Sequence, residues 1–189
     1  MTSREWPNIL ITGTPGTGKT THAAQLVETL QHGAETSSAP WQHLNVGDFV
    51  KEKGCHQGWN DEWQSWDVDE DKLLDELELV QGQGAKVLDW HTCDMFPERW
   101  IDLVVVLRCN HQRLWERLEK RGYQLNKIQE NNEAEIMEVI LQDARESYAE
   151  EIVVELKSES PDDMEENVQR IVQWVQAWRE NNRDSGDEA

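Results

Sequence analysis

Residues 13–21 read "GTPGTGKTT", and Gly13, Gly18, Lys19 and Thr20 fit the spacing G-x-x-x-x-G-K-[ST]. The apolar run "NILIT" (8–12) precedes them and a helical pattern follows, which is the context this motif requires. Glycines let successive backbone N–H groups converge on phosphate oxygens, and the helix that follows turns its positive end toward the same anion. Lys19 then stands within reach of the β- and γ-phosphates, and Thr20 can ligate Mg²⁺. The chemistry expected is that of a nucleoside triphosphate.

Such a site also needs a carboxylate near the metal, at the end of a neighbouring apolar strand. "KVLDW" (86–90) offers Asp89 there; the alternative is an ordinary strand-end aspartate. His91 follows two residues later. A histidine so placed orients a water or a substrate hydroxyl, or else serves as a structural hydrogen-bonding group at the strand end. The stretch 108–127 carries Arg108, Arg113, Arg117, Lys120, Arg121 and Lys127 against Glu116 and Glu119. Phosphoryl transfer calls for cations around the migrating group. Arg121 and Lys127 can therefore sit on a lid, the other reading being a basic helix face with a turn at "RGYQLNK". Arg113 and Arg117, one turn apart, are expected to decorate the helix face.

The elements that hold these residues follow from five short apolar runs: "NILIT" (8–12), "HLNV" (43–46), "KVLDW" (86–90), "LVVVL" (103–107) and "IVVEL" (152–156). Helical patterns separate them, so the expected fold is α/β, with a five-stranded parallel sheet covered on both faces. In the final helix Ser160 caps, Pro161 opens the first turn, and Asp163 completes a capping box. Met164, Val168, Ile171, Val172, Val175 and Trp178 form its apolar stripe. Residues 31–43 read as a surface loop of low consequence, and 55–72, rich in tryptophan and acid, as an excursion between the second and third strands. One domain is expected over 1–182, with a disordered tail at 183–189.

The chain has 189 residues and a formal net charge of -20, which repels bare nucleic acid and anionic membrane and attracts basic partners. No stretch reaches the length of a membrane span, and the opening "MTSREWPNILITG" lacks a signal-like apolar segment. Three scattered cysteines, Cys55, Cys93 and Cys109, argue against a disulfide framework and against a four-cysteine zinc site. Acid is densest between Trp59 and Leu79: Asp61, Glu62, Asp67, Asp69, Glu70, Asp71, Asp75, Glu76 and Glu78 face the single base Lys72. With Trp59, Trp63 and Trp66 beside them, these residues suit a basic protein tail. The tryptophans can instead pack the excursion against the core.

From about Asn8 to Trp178 the chain resembles the adenylate kinase isoenzyme 6 family, also called coilin-interacting nuclear ATPases. The resemblance lies in "GTPGTGKTT", "NVGD", "DEDKLLDELE", "DWHTCDMFPERW", "RLEKRGY", "KIQENNEAEI" and "ESYAEEIVVEL". It implies a P-loop nucleoside monophosphate kinase fold with a short lid at 120–130 and a monophosphate-binding region at 45–68. Gly16, Gly18, Lys19, Thr20, Thr21 and Arg121 would contact ATP, while Gly47, Asp48 and Lys51 would line the monophosphate side. His91 would belong to a modified Walker B motif and matter for turnover.

The resemblance further implies conversion of ATP and AMP to two ADP and ATP hydrolysis, with Mg²⁺, expected from Thr20 and Asp89, as cofactor. It also implies work in small ribosomal subunit (18S rRNA) maturation on the pre-40S particle through a basic ribosomal protein. A monomer found in nucleus and cytoplasm is expected. Ordinary adenylate kinases place arginine three residues after "GD"; here Lys51 lacks the planar fork, which predicts weaker AMP binding. A purely metabolic nucleoside monophosphate kinase is the alternative.

Overall fold

The computed structural model describes residues 4–62 and 65–184. Its elements run β1 (Asn8–Thr12), α1 (Lys19–His32), β2 (Gln42–Asn45), α2 (Val46–Lys53), β3 (His56–Asn60), β4 (Ser65–Val68), α3 (Glu70–Gln81), β5 (Lys86–Asp89), β6 (Leu103–Arg108), α4 (His111–Lys120), α5 (Leu125–Ile136), α6 (Val139–Ser147), β7 (Val153–Lys157) and α7 (Pro161–Asp184).

All five predicted runs are strands of one parallel sheet, in the order β2-β5-β1-β6-β7. The second ends one residue early, because Val46 already begins α2. The chain leaves β1 toward one edge of the sheet and leaves β6 toward the other. In such sheets ligands bind in the crevice at the carboxyl ends, where the winding reverses. The glycine loop after β1 and the start of α4 after β6 flank that crevice.

Alternation along each central strand sends side chains to two separate cores. Ile9, Ile11, Val105 and Leu107 pack with Leu26 and Leu30 of α1 and with Val168, Ile171 and Val175 of α7. Leu10, Leu88, Val104 and Val106 meet Val50 of α2, Leu73 and Leu77 of α3, and Leu141 of α6 on the other face. A strand buried on both faces needs no polar alternation, which accounts for "LVVVL".

The capping box is present: Ser160 Oγ accepts from Asp163 N–H at 3.1 Å, and Asp163 Oδ2 from Ser160 N–H at 3.0 Å. α7 continues to Asp184, so the tail expected from 183 begins no earlier than 185, and 185–189 lie outside the described residues. The 31–43 segment corrects the expectation of a mere surface loop. Its Thr36 and Trp41 are fully buried; Trp41 meets Trp6 edge to face at 5.7 Å and donates its indole N–H to Thr36 O. The segment plugs the amino-terminal end of the sheet. Cys55, Cys93 and Cys109 are free and buried, as expected for unpaired thiols.

The excursion is α2 followed by an antiparallel hairpin, β3 with β4. Trp66 stacks on His56 at 4.1 Å and meets Trp59 edge to face at 5.4 Å. Trp63, the third tryptophan read from the sequence here, lies outside the described residues.

Candidate nucleotide site

Three glycines of the loop take φ angles that other residues rarely adopt, and at two of them space is decisive as well. A Cβ at Gly13 (φ 144) would stand 2.6 Å from Leu107 O, and one at Gly16 (φ 98) would stand 2.8 Å from Leu114 of α4. Lys19 opens α1 and folds back over the loop, donating to Gly13 O at 2.9 Å and Thr14 O at 3.2 Å. Burial lowers its pKa from 10.5 to about 8, Asp89 and Glu135 pull it up, and Arg121 pushes it further down. It remains mostly cationic near neutral pH.

The carbonyls of the loop are held from behind. Arg117 of α4 donates to Gly16 O at 3.2 Å and to Ser158 O at 3.0 Å. Ser158 Oγ donates to Thr17 O, and the His22 ring bonds Gly18 O at 3.0 Å. Arg117 is thus part of the loop's support, contrary to the expectation of surface decoration. Arg113 is exposed and, among the described residues, donates to Glu159 O at 3.4 Å, as a decorating residue would. Arg108, read from the sequence as part of a basic island, is neutralised by Glu135, Glu138 and Glu155.

Asp89 closes β5 almost fully buried, and its Oδ2 accepts from Asn45 Nδ2 at 2.8 Å and from His43 Nε2 at 3.3 Å. Burial pushes its pKa up, but hydrogen bonds from His43 and Thr20 and the charge of Lys19 outweigh that and hold it below the usual value. It is therefore an ionised carboxylate beside the Thr20 hydroxyl. Among the described residues no group of three or more His, Cys, Asp or Glu side chains is arranged to cage a metal. One carboxylate and one hydroxyl instead suit Mg²⁺, which keeps waters and takes its other ligands from phosphates.

His91 stacks against Trp90 at 4.1 Å. Its ring is solvent-exposed at the mouth of the cleft, among the atoms of the cleft walls. That environment, with Lys19 and Lys127 nearby, lowers its pKa from 6.5 to about 4 against the pull of Asp89. A neutral imidazole can accept a proton or a hydrogen bond at neutral pH.

These residues border one cleft of about 850 Å³, within the usual range for small-molecule sites. Its walls bring together Gly16, Lys19, Thr20, Gly47, Lys51, Asp89, His91 and Arg121 of the predicted set. Gly13 and Gly18 shape the loop from behind. Thr21 is exposed on the first turn of α1, and Asp48 faces solvent, paired with Lys51 at 3.3 Å. The predicted lid, 120–130, is the turn from α4 into α5, with Arg121, Tyr123, Lys127 and Glu130 on the cleft and Lys127 over the Tyr123 ring at 4.5 Å. The opposite wall is apolar and aromatic: Val50, Trp59, Trp66 and Val68, with Trp90 and Met95 below.

Several contributors escaped the sequence reading. Asn45 could have been found, since an Asn between a strand and a helix signals an N-cap, and Asp48 N–H does donate to its Oδ1 at 3.0 Å. His43, Ser158 and Glu135 carry no local signal; each meets the site only through tertiary contact.

A family model described as an AAA domain matches residues 9–138. An adenylate kinase isoenzyme 6 homolog of Schizosaccharomyces pombe is 55% identical over 178 residues, spanning 94% of this chain and 97% of that protein. The Saccharomyces cerevisiae adenylate kinase isoenzyme 6 homolog FAP7 is 48% identical over 181 residues, 96% of this chain and 88% of that one. Among solved structures, a gluconokinase from Sinorhizobium meliloti 1021 superposes with a TM-score of 0.53 at 15% identity, covering 96% and 98% of the two chains, a likeness of fold alone.

Proposed function

The chain belongs to the adenylate kinase isoenzyme 6 family, and from that premise we propose that it binds MgATP at the glycine loop, passes the γ-phosphoryl group to AMP to give two ADP, and hydrolyses ATP. The observation that carries this reading is the continuity of one cleft from the glycine loop to the aromatic wall of α2, β3 and β4. A triphosphate on the loop and a nucleoside monophosphate against that wall would meet near Lys19, Asp89 and His91.

Thr20 and Asp89 would hold Mg²⁺, Asp89 through water, and the ion would neutralise charge on the phosphates. Lys19 would leave its carbonyl partners for the phosphate oxygens. Arg121 would close onto the same charge from the α4–α5 turn. Neutral His91 would accept a hydrogen bond from the attacking water in hydrolysis, or orient the acceptor oxygen in transfer. Lys51, tied to Asp48, offers the monophosphate a point charge only, which supports modest AMP affinity.

The wider role we propose is maturation of the small ribosomal subunit in nucleus and cytoplasm, through a basic ribosomal protein of the pre-40S particle. The net charge of -20 and the acids around the hairpin support it. A purely metabolic kinase is favoured instead by one observation: Trp59 and Trp66 line the cleft itself, where a base would lie. ATP turnover with and without AMP, and with and without a purified basic small-subunit protein, separates the two. A bisubstrate analogue of two adenosines joined by five phosphates should bind far more tightly than ATP. Binding no tighter than ATP would remove the kinase half of the proposal.

A further inference from the structure

Glu135, near the end of α5, has a side chain only 5% exposed, yet it is an acid in the densest part of the nucleotide site's support. Its Oε1 accepts from Arg108 Nε at 2.8 Å and from Cys109 N–H at 3.0 Å. Its Oε2 accepts from Thr14 Oγ1 at 2.6 Å. Thr14 belongs to the glycine loop, is itself buried, and its carbonyl receives both Lys19 Nζ and Thr17 Oγ1. Along the adjoining face of the same helix, at i, i+4 and i+7 spacing, Lys127, Asn131 and Ala134 line the cleft. One carboxylate thus joins the loop, the end of β6 and the helix that carries the lid cation.

We infer that Glu135 is a positioning residue: through the Thr14 hydroxyl it sets the conformation of the phosphate loop and locks that loop to the lid-bearing helix α5, so that loop and lid act as one unit toward the triphosphate. This rests on the reading of the cleft as an ATP site. Arg108 and the Cys109 amide satisfy one carboxylate oxygen in the interior. The second oxygen is left for the loop alone. Its bond, short and charge-assisted, fixes Thr14 and with it the carbonyl that Lys19 rests on. Deletion of the Thr14 hydroxyl removes the tether and leaves Glu135 Oε2 without that donor, while Oε1 keeps Arg108 and the Cys109 amide.

The test compares Thr14→Val with Thr14→Ser in the full chain. Calorimetry with MgATP and separately with AMP gives the affinities, steady-state turnover gives kcat and KM, and thermal melting gives stability. We expect Thr14→Val to weaken MgATP about tenfold, the effect of one hydrogen bond, with AMP affinity unchanged and melting lowered, because Glu135 Oε2 loses the Thr14 donor. Thr14→Ser, which keeps the hydroxyl, should restore MgATP affinity. Parent-like MgATP affinity in Thr14→Val, or equal loss in Val and Ser variants, overturns the tether. Should Thr14→Val fold poorly, Thr14→Ala, which removes the hydroxyl without filling the rest of the side-chain space, must show the same selective loss of MgATP affinity. A parent protein that binds MgATP without turning it over would sink the proposed activity while still reading out the tether.

Discussion

Asn45 donates its side-chain amide to Asp89 Oδ2 at 2.8 Å, and the carbonyl oxygen of the same side chain accepts from Asp48 N–H at 3.0 Å. One residue thereby joins the carboxylate of the proposed phosphate site to the first turn of α2, which opens the proposed monophosphate side. Asn45→Ala should lose the cap, at about 1 kcal/mol of stability, and free the carboxylate to rotate. Denaturant melts and ATP turnover should fall together. Asn45→Asp keeps a capping oxygen but sets a second carboxylate against Asp89. It should regain only part of the lost stability, since the two carboxylates repel, and leave turnover low.

Lys19→Ala should cost at least ~100-fold in turnover, as for loss of one preorganised electrostatic contact, with circular dichroism unchanged. Its pKa of about 8 adds a pH signature. The ammonium form is the one that binds phosphate, and its fraction falls as pH rises through that value. kcat/KM for ATP should therefore decline above about pH 8. A flat profile to pH 9.5 would show that Lys19 is not the cation required in the free protein.

His91→Gly should lower hydrolysis more than it weakens ATP binding. Because the pKa of His91 sits at about 4, the imidazole is neutral across the physiological range. Hydrolysis should then show no His91-dependent acid limb between pH 6 and 7. Equal ATPase rates for mutant and parent at saturating ATP would reduce His91 to a ring that packs on Trp90.

Arg117→Ala should unsettle the loop, since the guanidinium bridges Gly16 O and Ser158 O. A stability loss of roughly 1–3 kcal/mol is expected from two carbonyls stripped of a charged donor, with ATP affinity reduced in parallel. Arg113→Ala, at an exposed position, should be near neutral. Equal behaviour of the two variants would contradict the bracing role.

The same pair shows where the sequence was legible. Gly13, Gly18, Lys19 and Thr20 declare themselves because backbone convergence on phosphate demands glycines at fixed spacing, and "LVVVL" declares a doubly buried strand. Both are local constraints. Arg113 and Arg117 look alike along the chain and differ only because Arg117 faces the loop and the end of β7. His43 and Glu135 are likewise ordinary residues until the parallel sheet sets β2 beside β5 and α5 beside the loop. The 31–43 segment misled because small and polar residues dominate it, while Thr36, Ala39 and Trp41 do its packing.

The proposed basic partner can be tested on the acids that remain exposed. Asp69 caps α3, its Oδ1 accepting from Lys72 N–H at 3.2 Å, and Glu70 lines the cleft, so changing either would disturb the nucleotide site as well. Glu76 pairs with Lys53 and Glu78 with Arg99. Asp61, Asp71 and Asp75 are exposed and suit the test better. Trp59, half exposed beside them, can add a cation–π contact to an arginine of the partner. Changing those three aspartates to amides should weaken capture of a purified basic small-subunit protein several-fold while MgATP affinity stays at the parent value. The association rate of the parent should drop between low salt and physiological salt, where the Debye length falls to about 8 Å. No binding at low salt, with ATP, with ADP or without nucleotide, would leave the acidic surface as a device for solubility and the protein as a nucleotide kinase.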